Sequence, residues 1–124
     1  MSTSAIHITT RPQYLADRSL PNEQHYVFAY TITIENKGES AVTLLSRRWL
    51  ITDANGKAIE VEGSGVIGEQ PNIAPGAEFT YTSGVSLETP IGVMEGSYTM
   101  RHTDGSEFQA PIAPFRLALP NIIN

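Results

Sequence analysis

The stretch HYVFAYTITIEN, His25 to Asn36, decides the fold. Tyr26, Phe28, Tyr30, Ile32 and Ile34 fall on alternate positions, and Ala29, Thr31, Thr33 and Glu35 occupy the positions between them. Successive side chains of a strand point to opposite faces, so this stretch is a strand with one face in a core and one in water.

Working outward, NKGES (Asn36 to Ser40) is a turn signal, and AVTLLSRRWLITD follows as the next strand. Val42 and Leu44 have even numbers there, whereas Trp49 and Ile51 have odd ones. A change of parity within one strand predicts a β-bulge near Ser46 or Arg47. DANG (Asp53 to Gly56) is a tight hairpin turn leading to a short strand, KAIEVEG. A Pro75-Gly76 turn opens the next strand, and GSYTMRHT and EFQAPIAPFRLALP pair across Asp104 to Ser106. With AIHITTRPQYL upstream, the strands number seven. Prolines at 12, 21, 71, 75, 90, 111, 114 and 120 break every candidate for a long helix. The pattern predicts an all-β immunoglobulin/fibronectin type III-like β-sandwich of about seven strands. Trp49 takes the place of a core tryptophan. Gly96-Ser97-Tyr98-Thr99-Met100 has the spacing of a tyrosine corner, the plainer alternative being a strand tyrosine with a wet hydroxyl.

Composition narrows the function classes. The 124 residues suit a single domain, 1–124, and 40% of them are apolar, a globular share. The net charge is −5, and no basic run exceeds Arg47-Arg48, which argues against nucleic acid as a partner. There is no cysteine, so thiolate metal sites, disulfides and cysteine nucleophiles are excluded. The first residues lack the basic start and apolar core of a secretory signal, and no apolar run reaches the roughly 18 residues of a membrane span. These features predict a cytoplasmic protein without membrane insertion.

One motif invites a chemical reading. Gly63-Ser64-Gly65-Val66-Ile67-Gly68 is a G-x-G-x-x-G sequence, the fingerprint of dinucleotide binding. In that fold the motif joins a strand to a helix whose N-terminus holds the pyrophosphate. Here Glu69-Gln70-Pro71-Asn72-Ile73-Ala74-Pro75-Gly76 follows, and two prolines and a glycine forbid the helix. The expectation is a long turn or bulged strand whose glycines allow positive φ, with a helix-free phosphate-binding loop at Gly63, Gly65 and Gly68 as the alternative. Further candidates are sparse. His7, His25 and His102 lie on different strands with no metal-ligand spacing between them, and Glu60 and Glu62 share one strand face. Arg47-Arg48 beside Trp49 either clamps an anion or a carboxylate, or flanks the bulge and faces water. No residues assemble a nucleophile, a base and an oxyanion donor, so the expectation is a non-enzyme without catalytic residues, metal site or cofactor. In the last strand Pro111 and Pro114 remove backbone donors. The first strand, Ala5 to Thr10, is the less guarded edge, open to a peptide or to a second copy in a homodimer.

Several blocks together resemble the ApaG family, also called CorD: YVFAYTITIEN, LLSRRWLITDANG, VEGSGVIGEQPNIAPG, YTSG, ETPIGVMEGSY and PFRLALP. The family often carries another residue, frequently aromatic or histidine, where Arg48 stands here. The resemblance implies a fibronectin type III-like sandwich and a link to cobalt resistance and magnesium efflux. It also implies use as an interaction domain beside unrelated partners. Two functions follow as expectations: a module that binds a protein partner, or a small-molecule or nucleotide binder that uses the glycine loop.

Overall fold

The alternation in Tyr26 to Asn36 does produce a strand with one buried face, and that strand is the centre of a sheet. The computed structural model describes residues 5–120. Its first sheet is antiparallel, in the order β1 (Ile6–Tyr14), β2 (Tyr26–Asn36), β6 (Glu78–Leu87). The second has the order β4 (Ala58–Ser64), β3 (Val42–Asp53), β7 (Ile91–His102), β8 (Glu107–Ala118), and β5 (Asn72–Ile73) pairs with the first residues of β3. The two sheets form the expected sandwich. The eighth strand is the two-residue β5, too short to leave a periodicity in the sequence. Two 3₁₀ turns, Ala16–Arg18 and Pro21–Glu23, are the helical elements among the described residues.

The parity switch in β3 is a bulge at Leu45, one residue before the expected position, where the β3–β7 register slips between Leu44 and Ser46. The slip keeps Val42 and Leu44 inward on one side of it and Trp49 and Ile51 inward on the other. A second slip, between Met94 and Gly96, leaves Ala113 and Pro114 of β8 outside the ladder. A proline at a bulge costs no ladder hydrogen bond, which explains how β8 tolerates Pro114.

Trp49 anchors the core at 2% exposure. The rings of Tyr30, Phe115 and Tyr98 meet it edge-on, with centroids 5.4, 5.9 and 6.5 Å away. Opposite Trp49 stands Gly96, where a Cβ would lie 2.0 Å from the Arg48 carbonyl oxygen. Only glycine permits that backbone approach. Tyr98 is fully buried, and its hydroxyl bonds the Tyr81 hydroxyl at 2.5 Å, joining β7 to β6 across the core. This corrects both expectations for Tyr98: it makes no tyrosine corner, and its hydroxyl is not wet. The residue lies mid-strand and points inward, so its hydroxyl reaches the facing sheet rather than a nearby corner. Asn36, also buried, donates from its amide to the carbonyls of Ser40 and Ile73 and accepts from the Gly38 N–H. One side chain thereby ties the β2–β3 turn to β5.

The sandwich is closed on one side and open on the other. β1 packs against β8. On the opposite side β6 ends the three-stranded sheet, and β4 projects beyond it, with every residue except Gly63 exposed.

Burial pushes the Tyr81 hydroxyl up to about 12, and burial raises Tyr98 as well. An unfolded chain loses those protons near pH 10. The folded chain retains them, so the contribution is fully present below pH 10 and is lost as pH rises toward 12. Phenolate absorbance at 295 nm should show these two tyrosines ionising only as the protein unfolds. Tyr81→Phe should cost about 1–3 kcal/mol in urea denaturation by orphaning the Tyr98 hydroxyl. The double change to phenylalanine should cost less than the sum of the single ones.

Candidate functional site

β4 and the loop after it hold most of the residues singled out in the sequence. Along β4 the side chains alternate. Ile59 and Val61 pair with the inward Ile51 and Trp49, and Glu60 and Glu62 pair with Leu50 and Arg48 on the outer face. Yet Ile59 is 49% and Val61 36% exposed, because the other sheet ends at β6 and leaves a cleft beside Ile59 rather than closing over the row.

The ladder also shows which backbone groups are free. The Asp53 N–H bonds the Lys57 carbonyl at one end of the β3–β4 pair, and the Gly65 N–H bonds the Leu45 carbonyl at the other. Antiparallel ladders alternate between hydrogen-bonded and non-bonded pairs. Odd-numbered residues of β4 therefore turn their N–H and C=O toward β3, and Ala58, Glu60 and Glu62 turn theirs to solvent.

The two arginines part company. Arg48 is exposed and also clamps carboxylates, meeting Glu60 at 2.5 Å and Glu62 at 3.4 Å. The hydrogen bond and charge of Glu60 hold its guanidinium above the ordinary arginine value. The shared face of Glu60 and Glu62 is thus occupied by a cation from the chain itself. Arg47 points inward and folds over Gly63, donating to the carbonyls of Ser64 at 3.2 Å and Gly65 at 2.9 Å.

That contact revises the role of Gly63. Its φ is not positive; a Cβ there would meet the Arg47 guanidinium at 2.7–2.8 Å. Gly63 makes room for a side chain, whereas Gly65 (φ 60°) and Gly68 (φ 80°) do adopt the left-handed conformation. A Cβ on Gly65 would also lie 2.1 Å from the Glu69 carbonyl oxygen. Beyond it Val66 and Glu69 exchange both backbone hydrogen bonds around a two-residue turn, Ile67-Gly68. Both turn residues have positive φ, as a type I′ turn requires. Ile67 (φ 42°) is β-branched and 55% exposed, a costly residue at that place. The Gly65, Val66 and Glu69 N–H groups all bond other backbone carbonyls, and the chain continues into β5 rather than a helix.

At the other end of the open side lies a cleft of about 270 Å³ between the sheets. Ile51, Ile59 and Leu87 line it together with His25, and Lys57 meets Glu88 at 3.6 Å across its rim. His7 lies on β1 opposite Glu35, and His102 ends β7, stacked on Phe108 at 4.4 Å. Among the described residues no three acidic or histidine side chains are grouped to hold a metal ion. Among the described residues no helix is long and apolar enough to cross a membrane.

Comparison with known proteins gives the lineage. A family model of the ApaG domain matches residues 16–102. This chain belongs to the ApaG family. Protein ApaG of Photobacterium profundum is 58% identical over 111 residues, 90% of this chain and 87% of the relative. Protein ApaG of Vibrio vulnificus is 54% identical over 124 residues, covering 100% of this chain and 98% of the relative. A crystal structure of a Bordetella pertussis protein superposes with a TM-score of 0.92 at 45% identity, covering 94% of this chain and 95% of that one.

Sequence reasoning missed the exposure of Ile59 and Val61. KAIEVEG alternates as a half-buried strand should, and nothing within it reveals that the facing sheet is one strand short.

Alanine substitutions should separate the three glycine roles. Gly65→Ala combines left-handed strain with a backbone collision and should cost the most, about 1–3 kcal/mol. Gly68→Ala, in open space, should cost only the conformational part, about 1–2 kcal/mol. Gly63→Ala should act through Arg47, so its cost should shrink when Arg47 is already alanine. Ile67→Gly should stabilise the turn by about 1 kcal/mol. Thermal and urea denaturation of the four variants check the order.

Proposed function

We propose that this ApaG-family chain is a non-enzymatic binding module that engages a protein partner along its open side. The observation that carries this reading is β4: a seven-residue edge strand with backbone groups turned to solvent and an inner apolar row left exposed. Such an edge is a hazard for a protein that makes no use of it. Ile67 supports the same reading from the end of the loop, since an exposed apolar side chain is kept there against backbone strain.

The first strand, the edge favoured on sequence, pairs with β2 over its whole length and packs on β8. We therefore favour β4 over Ala5 to Thr10 as the partner surface. The module works in the cytoplasm, without nucleic acid or membrane insertion, as its acidic composition suggests. Any part it takes in cobalt and magnesium handling runs through the partner. The alternative of a nucleotide held by Gly63, Gly65 and Gly68 is the weaker one, because three N–H groups around that loop are already bonded within the chain.

Affinity purification of the tagged chain tests the surface. Val61→Glu should lose the partners that the unmodified chain retains, with the fold intact by circular dichroism. Ile8→Pro should keep them. The reverse outcome would move the surface to β1. Calorimetric titration with magnesium chloride, cobalt chloride and ATP should give no saturable one-to-one binding. A cobalt ion held by two of His7, His25 and His102, or a micromolar ATP affinity abolished by Gly65→Ala, would overturn the indirect role.

A further inference from the structure

We infer that the free edge of β4 accepts an extended segment in which basic and apolar residues alternate. The inference rests on the partner surface proposed above and adds the chemistry of what binds there.

A strand laid against β4 bonds the outward N–H and C=O groups of Ala58, Glu60 and Glu62. Its side chains then fall alternately on the two faces of the extended sheet. On the inner face they land beside Ile59 and Val61, whose exposed surface calls for apolar neighbours. On the outer face they land beside Glu60 and Glu62. Arg48 is shared between those two carboxylates, and Glu95, which pairs with Leu50 on the same face, adds a third. Next to the β4 edge, then, the cation Arg48 stands against the three carboxylates Glu60, Glu62 and Glu95, a local excess of negative charge. Glu62, at 3.4 Å from Arg48, holds the looser contact and lies on the edge strand itself. Cross-strand neighbours of opposite charge stabilise a ladder and like charges opposite one another destabilise it. The outer positions of the partner are therefore lysine or arginine.

The same rule opposes a second copy of this chain paired along the full length of β4. Antiparallel pairing of β4 with its own symmetry mate, centred on Val61, sets Glu60 of each copy opposite Glu62 of the other. An acidic segment is opposed likewise.

The test uses the full-length ¹⁵N-labelled chain and three seven-residue probes. One alternates lysine with valine, one alternates glutamate with valine, and one has the lysine–valine composition in two blocks. The alternating lysine peptide should shift and protect from exchange the amides of Ala58, Glu60 and Glu62. Its affinity should fall with added salt and should exceed that of the other two probes at least tenfold. Glu60→Lys combined with Glu62→Lys should reverse the preference toward the glutamate peptide. Both side chains are exposed, so the fold should persist. Should the double variant unfold, Glu62→Gln alone should weaken the lysine peptide severalfold. Equal binding of the lysine and glutamate peptides would overturn the inference, as would a dimer joined through β4 in sedimentation. Protection confined to β1, β6 or β8 would also overturn it, while leaving a partner-binding module in place. If no probe perturbs any edge and Val61→Glu retains every captured partner, both readings fail.

Discussion

Three strands face a wider sheet of four long strands and the two-residue β5, and the exposed row on β4 follows from that inequality. Where the sheets overlap, β3 and β7 lie over β2 and β6, and their inward residues Trp49 and Tyr98 lose contact with water. One strand further out, Val61 pairs directly with Trp49 and still keeps 36% of its surface exposed. The distance between those environments is a single strand spacing, a little under 5 Å. Full burial of a valine or isoleucine is worth about 1.5–3 kcal/mol, so β4 leaves stabilisation unrealised at Ile59 and Val61. A partner that covers them gains part of it.

The open side is bounded by specific contacts rather than left ragged. At one end Arg47 lies over Gly63 and holds the carbonyls of Ser64 and Gly65, turning the chain out of β4. The type I′ turn at Ile67-Gly68 then reverses it, Asn36 fixes Ile73, and β6 begins five residues later. The glycine spacing therefore has a mechanical origin. One glycine admits a guanidinium, one passes close to the backbone of Glu69, and one completes a turn. Three different requirements happen to fall at intervals of two and three residues.

The alternation in β2 and the parity of β3 were enough to read the sandwich, the inward face of Trp49 and the bulge within one residue of its place. These are local periodicities, fixed by which neighbours in sequence must share a face. The relations between strands were harder to read. Sequence alone misplaces the Tyr98 hydroxyl because its partner is 17 residues away on the facing sheet. The role of Gly63 is hidden from local sequence because the group it accommodates comes from β3, sixteen positions earlier. The exposure of β4 depends on the number of strands in a sheet to which β4 does not belong, and no window of sequence around Ile59 carries that number.

The edges at β8, β1 and β4 are guarded differently, and the differences bear on how β4 can be used at all. Pro111 and Pro114 interrupt the donors of β8, while β1 is packed on β8 beneath them. β4 has neither proline nor cover; its protection is electrostatic, from Glu60, Glu62 and Arg48. A proline blocks every incoming strand alike, because the missing N–H is missing for all of them. A charge repels one class of strand and attracts another. It can suppress self-association and still admit a chosen partner, provided that partner carries the complementary charge. On the proposed reading, the same two glutamates of β4 both guard the edge and select what pairs with it.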